Sequence, residues 1–237
     1  LLTTPRSQHP YGTLPAFEWD FNAVNPPVIA WAVWQIYHLE RQQGREPDVE
    51  FLRSMFDPLL MMLTWWLNRK DNDGKGIFGG GFLGLDNIGV FDRDQPLPAG
   101  GSLEQGDATG WMAMFQLNMA AIPFQLALHD PSYEPMVHRF GQDFVIVANV
   151  LQRGAAGGAG LWNEEHQFFF DVVRLWARNP GNSDLPAHEV AAADRKRPVP
   201  QAADNRGGSA WPGCLNDLVR SLGIADRLEG FIDAAIG

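Results

Sequence analysis

The chain is short of cysteine, of positive charge and of long apolar runs, and each shortage closes off a class of protein. Its one cysteine, Cys214, cannot form an internal disulfide, which fits a reducing compartment. With 18 Lys and Arg against 28 Asp and Glu, the formal net charge is -10. The phosphates of a nucleic acid would be repelled, and no run of basic residues interleaved with aromatics offsets that. The longest apolar stretch, Leu59 to Leu67, falls far below the roughly 20 residues of a membrane span. No nucleic-acid or membrane partner is expected. The histidines His9, His38, His129, His138, His166 and His188 show no metal spacing, and no Ser/His/Asp or Cys/His arrangement stands out, so no metal or other cofactor is expected.

The opening at Leu1 shows no basic and apolar leader, which gives the expectation of a cytoplasmic protein. A first residue other than Met gives the further expectation that the natural N-terminus lies upstream. The 237 residues, 45% hydrophobic and 19% charged, suffice for one large domain or two small ones with a buried core. Nine tryptophans are the compositional outlier. An indole face stacks well on the C–H face of a sugar ring, but the same residue also fills helical cores.

Helical periodicity dominates the first 150 residues. Asn25 with Pro26 and Pro27 predicts a helix start. Val28, Trp31, Ala32, Ile36 and Leu39 follow at helical spacing, and Gly44 ends the run. A second helix is expected from Pro47-Asp48, with Phe51, Leu52, Met55, Phe56, Leu59, Leu63 and Trp66 on one face and a possible kink at Pro58. A third is expected from about Glu104 to His129. A fourth runs from about Tyr133 to Arg153, with Phe140, Phe144, Val147 and Leu151 inward. Residues 1–25 read as irregular. Gly154 to Gly160 reads as a small-residue linker, and Leu161 to Phe170 as a short β-hairpin. Antiparallel helices with function in their connecting loops indicate an all-α domain.

Between the second and third helices lies Gly81-Phe82-Leu83-Gly84-Leu85-Asp86-Asn87-Ile88-Gly89-Val90-Phe91-Asp92-Arg93. Glycines permit close backbone approach, apolar neighbours exclude water, and Asp86 sits among them. A carboxyl there has its charged form disfavoured, so it can donate a proton near neutrality. That is the chemistry of a sugar-cleaving loop, although an aspartate in a turn also bonds its own backbone. Asp92 beside Arg93 reads as an ion pair or a ligand hydroxyl contact. A second constellation, Glu18-Trp19-Asp20-Phe21 with Asn22 and Asn25, sets carboxylates beside a stacking plane; capping of the helix by Asn25 is the structural alternative. A third, Leu103 to Trp111, brings Glu104, Asp107 and Trp111, whose acids also complement a helix dipole. Asp71-Asn72-Asp73-Gly74-Lys75-Gly76 lacks the distal glutamate of a calcium loop and reads as a solvated turn.

These segments occur in the order of a known family. His9-Pro10-Tyr11-Gly12, Pro15-Ala16-Phe17-Glu18-Trp19 and Val24-Asn25-Pro26-Pro27-Val28 resemble the start of the catalytic domain of glycoside hydrolase family 63. So do Thr64 to Asp71, Gly81 to Arg93, Leu103 to Trp111 and Leu161 to Asp171, a resemblance covering about Pro5 to Arg174. This is the family of processing α-glucosidases and their bacterial relatives. The resemblance implies a partial (α/α)6 toroid and hydrolysis of an α-linked sugar with inversion, on an oligosaccharide or small glycoside. It makes Asp86 the general acid, with Glu18, Trp19, Asp20, Asn25, Phe91, Asp92, Glu104, Asp107 and Trp111 as the sugar-binding set. An inverting enzyme also needs a base about 6.5–9.5 Å from the acid, and no segment here resembles the one the family supplies.

From Trp176 to Cys214 the chain loses all apolar period, while Ser221 to Phe231 again looks like the family. The expected organisation is therefore residues 1–175 as a partial catalytic domain, 176–214 as a frame-disrupted segment, and 215–237 as a returning helical piece. On this reading the chain is a fragment. The competing reading is a non-catalytic sugar-binding or structural helical protein. A toroidal lyase would need a Tyr or His base, and of the three tyrosines only Tyr11 lies in a motif segment.

Overall fold

The computed structural model describes residues 7–71, 74–80, 93, 97, 100–154 and 160–175. Four helices carry the mass of it: α1 (Ile29–Gln42), α2 (Val49–Arg69), α3 (Gly106–Ala127) and α4 (Glu134–Arg153). Six short strands pair two by two. β1 (Pro15–Phe17) pairs with β2 (Asp20–Val24), β3 (Ser102–Glu104) with β6 (Val172–Arg174), and β4 (Trp162–Asn163) with β5 (Phe168–Phe169), all antiparallel. The described part is thus mostly helical, as expected, with more strand pairing than the one hairpin foreseen.

α3 is the axis of the packing. It lies against α1, α2 and, most extensively, α4. Its sequence holds one charged residue, Asp107, among Gly, Ala, Met, Phe, Leu and Ile, and it is buried on nearly every side. A helix that is apolar all round belongs inside a core. Phe115, Leu117, Met119 and Ile122 are closed to solvent, each contributing about 1.5–3 kcal/mol of burial. α2 offers it Leu52, Phe56, Leu59, Leu63 and Trp66 on one face, and α4 offers Phe140, Phe144, Val147 and Leu151, as their periods predict. Asp48 caps α2 by accepting from the Phe51 N–H at 2.9 Å.

Three local expectations are corrected. Residues 15–24 form the β1–β2 hairpin rather than irregular chain. α1 begins at Ile29, so Asn25 does not cap it and Pro26 and Pro27 precede it. Each proline disfavours helical backbone at the residue before it, which keeps Asn25 and Pro26 out of the helix. Its inward face is also different. Ala30, Val33, Trp34 and Tyr37 are buried, whereas Val28, Trp31, Ile36 and Leu39 are exposed. Apolar residues run around both sides of this helix, so periodicity alone does not select one. The third correction is at Glu104, which belongs to β3, not to the first turn of α3.

The N-terminal turn is fastened to α2. Gln8 Nε2 donates to the carbonyls of Gly12 at 2.7 Å and Pro58 at 2.8 Å. Gly12 has φ +95°, and a Cβ there would lie 2.4 Å from the Met61 carbonyl oxygen. Only glycine fits that conformation in that space. No helix among the described residues is long and apolar enough to cross a membrane.

Candidate functional site

The first turn of α3 gathers contacts from three other segments. Its N-cap residue, Gln105, makes no capping bond of its own. Instead the Gly106 N–H is taken by Asp171, from the connection between β5 and β6, at 2.8 Å. The Gln105 side-chain oxygen accepts the Gly80 N–H at 2.9 Å. Thr109 Oγ1 donates to the Gln105 carbonyl at 2.7 Å and accepts the Phe78 N–H at 3.1 Å. The segment arriving from α2 is thereby stitched to α3, up to the residue before Gly81.

Arg93 returns to the same place. Its guanidinium is almost wholly buried, forms a two-pronged pair with Asp107 (Nη1 to Oδ2 2.8 Å), and lies 3.3 Å from Asp171 Oδ2. A planar fork meeting a carboxylate side-on is the strong form of this interaction. Asp171 is a third exposed, with 34% of its side-chain surface in contact with solvent. Partial burial nevertheless raises its pKa above the ordinary aspartate value, against the lowering effects of Arg93 and of the Gly106 N–H; Asp107 adds a smaller raising effect.

One strand pair away, Arg174 Nε donates to Glu104 Oε1 at 2.5 Å. Glu104 faces Val172 and Ser102 faces Arg174 in the β3–β6 ladder, so this is a diagonal cross-strand pair. Glu104 Oε2 is buried and has no hydrogen-bond partner among the described residues. An unpaired buried acceptor costs about 1–3 kcal/mol, and a ligand hydroxyl would relieve it. Trp111, one turn beyond Asp107 on α3, is half-buried.

The second constellation lies on the β1–β2 turn. Trp19 is the most exposed aromatic among the described residues, at 80%, and stacks on Phe17 with ring centroids 5.4 Å apart and planes 18° from parallel. Glu18 beside it is exposed. Asp20 Oδ1 accepts the N–H groups of Asn22 at 2.9 Å and Ala23 at 3.3 Å, so one oxygen is used in shaping the hairpin. Asn25 follows β2 and is exposed.

The site residues expected from sequence thus separate into two described groups: Glu18, Trp19 and Asp20 with Asn25 near by in sequence, and Glu104, Asp107 and Trp111. Asp86, Phe91 and Asp92 lie outside the described residues, as do the segments 176–214 and 215–237. The tryptophans divide by burial. Trp34, Trp65 and Trp66 are core, while Trp19 and Trp31 face solvent. Asp71 behaves as a turn residue, accepting from Lys75 and Gly76 at 2.9 Å each. Among the described residues no cluster of His, Cys, Asp or Glu could hold a metal ion.

Sequence reasoning missed the roles of Gln105, Thr109, Asp171 and Arg174. The available signal was charge: Asp171 and Arg174 bracket Val172-Val173 at the end of an apolar run, where unpaired charges would be costly.

Residues 3–81, the β1–β2 hairpin through α2 and the approach to Gly81, match the model of the mannosylglycerate hydrolase MGH1-like glycoside hydrolase domain. The chain is also 46% identical over 184 residues to an uncharacterized protein of Saccharomyces cerevisiae, an alignment covering 73% of this chain and 17% of that protein. The chain therefore spans about a sixth of the length of this relative. No solved structure matches it. The likeness that carries chemistry is accordingly to a glycoside hydrolase domain, over the N-terminal third of the chain.

Proposed function

We propose that the chain is part of the catalytic domain of an inverting α-glycosidase related to glycoside hydrolase family 63, acting on an oligosaccharide or small glycoside. Asp86 is its general acid. Glu18, Trp19, Asp20, Asn25, Phe91, Asp92, Glu104, Asp107 and Trp111 serve the sugar. Beside the glycoside hydrolase match, one observation supports this reading most. Gly80 and Arg93, which bound the acidic loop in sequence, are both bonded to the first turn of α3. Gly80 and Arg93 thereby lie beside Asp107 and Glu104, whose Oε2 has no hydrogen-bond partner among the described residues.

In this mechanism Asp86 protonates the leaving glycosidic oxygen while a base activates water on the opposite ring face. No segment of these 237 residues resembles the family's base, so the chain alone should turn over weakly or not at all. The test is release of reducing sugar from maltose, with the anomer followed by proton NMR, by this chain and by the longer polypeptide corresponding to its yeast relative. The longer form should give the inverted, β-configured sugar first, and Asp86→Asn should lower kcat by a factor of about 10³ or more. Robust hydrolysis unaffected by Asp86→Asn would overturn the assignment.

The exposed Trp19–Phe17 stack favours a second reading, a sugar-binding module without turnover. In that case binding persists in Asp86→Asn, and no form of the protein cleaves.

A further inference from the structure

Asp171 belongs to neither expected constellation, yet it touches both the start of α3 and the Arg93 that pairs with it. The helix has no side-chain cap of its own, and an aspartate 65 positions later takes the Gly106 N–H at 2.8 Å. The positive end of the helix dipole favours a carboxylate there. The same carboxylate lies 3.3 Å from Arg93 Nη2, the nitrogen that also pairs with Asp107. Arg93 is therefore clasped between one carboxylate inside α3 and one outside it. Three residues on, Arg174 secures Glu104 across the β3–β6 ladder.

We propose that Asp171 is a positioning residue for the sugar site: it caps α3 from across the fold and holds Arg93 against Asp107, so that the β5–β6 connection sets the geometry of the Asp107 and Trp111 side chains. The inference rests on the glycosidase reading in one respect, that the start of α3 contacts sugar. A bare cap would need only an acceptor at Gly106. The second contact, to the charge of Arg93, marks a role beyond capping. The charged groups facing Asp171 are Arg93 and Asp107, and its carboxyl keeps its proton to a higher pH than an ordinary aspartate does.

The test uses the ¹⁵N-labelled 237-residue chain with Asp171→Ala and Asp171→Asn, and maltotriose as probe. Asp171→Ala should speed hydrogen exchange of the Gly106 amide about tenfold or more. It should also shift the Arg93 side-chain signals and weaken maltotriose binding, read by tryptophan fluorescence, about tenfold. Asp171→Asn keeps an acceptor but not the charge. It should restore Gly106 protection while leaving the Arg93 signals shifted and binding weakened, and it should abolish the pH titration of the Gly106 amide shift. If Asp171→Ala does not fold, the same readouts on Asp171→Asn decide the matter. Unchanged affinity in both variants overturns the positioning role and leaves a structural cap. Absence of binding by every form, the parent chain included, overturns the glycosidase reading and the positioning role with it.

Discussion

Replacing Arg93 by Met tests the electrostatic centre of the structure. The side chain is only 2% exposed, against 11% for Asp107 and 34% for Asp171. Methionine roughly keeps the length of the stem but removes the charge and every donor. Removing one member of a buried pair costs about 3–5 kcal/mol, because the partner charge is left uncompensated. Water still reaches Asp171, so the lower end, ~3 kcal/mol, is expected at pH 7. With an m-value of ~2–3 kcal/mol/M, the urea midpoint should fall by about 1–1.5 M.

The deficit should also depend on pH in a fixed direction. Burial raises the Asp171 pKa, and Arg93 is the first of the influences holding it down. Without Arg93 the folded pKa rises further above the unfolded value. A carboxyl raised in this way destabilises the fold when ionised. The penalty is present above the folded pKa and disappears as pH falls through it toward the unfolded value. Urea titrations of parent and variant at pH 7 and pH 4.5, followed by tryptophan fluorescence, should show the gap narrowing in acid. A deficit below about 1 kcal/mol at pH 7 would refute the account of Arg93 as a buried clasp. A gap of the same size at both pH values would refute the assigned role of Asp171.

Two further predictions concern the frame that holds this site. Gly12→Ala should cost roughly 2–4 kcal/mol in thermal or urea unfolding, since the new Cβ meets the Met61 carbonyl at a backbone conformation that L-residues avoid. A loss within 0.5 kcal/mol (about the scatter of surface substitutions) would count against the tight approach of the N-terminal turn to α2. Thr109→Val keeps the volume but deprives the buried Phe78 N–H of its acceptor, and should cost about 1–3 kcal/mol. Exchange of the Phe78 amide should accelerate with it, and unchanged exchange would show that this bond does not hold the approach to Gly81.

Local pattern carried much of the helical architecture. α2 and α4 were legible because each alternates a broad apolar face with a polar one, and most residues so marked are buried, although in α2 Phe51 and Met55 are only partly covered while the unmarked Met62 and Trp65 are buried. α2 also announced its start through Asp48. The β4–β5 hairpin was legible because aromatic strands flank a polar turn only a few residues long. α1 resisted the same logic. With Trp31, Ile36 and Leu39 on one side and Val33, Trp34 and Tyr37 on the other, its period has no single face, and only contact with α2 and α3 selects one.

The residue types of the candidate site were legible as well, because carboxylates, glycines and tryptophans in short windows are local facts. Their electrical state was not. Asp107 read as a dipole partner or sugar contact, and the structure commits it to Arg93, fourteen positions away. Glu104 read as the opening of a helix, and pairing with a strand seventy residues later makes it an edge residue with one oxygen committed to Arg174.

The sequence by itself determined where the chain turns into α2 and α4 and which of their sides face inward, since backbone propensity and apolar period act over a few residues. Tertiary structure alone decided which face of α1 is buried, that β3 exists, and which cation neutralises which acid. Those outcomes depend on segments 14 to 78 residues apart coming together, and no local window records which distant partner will arrive.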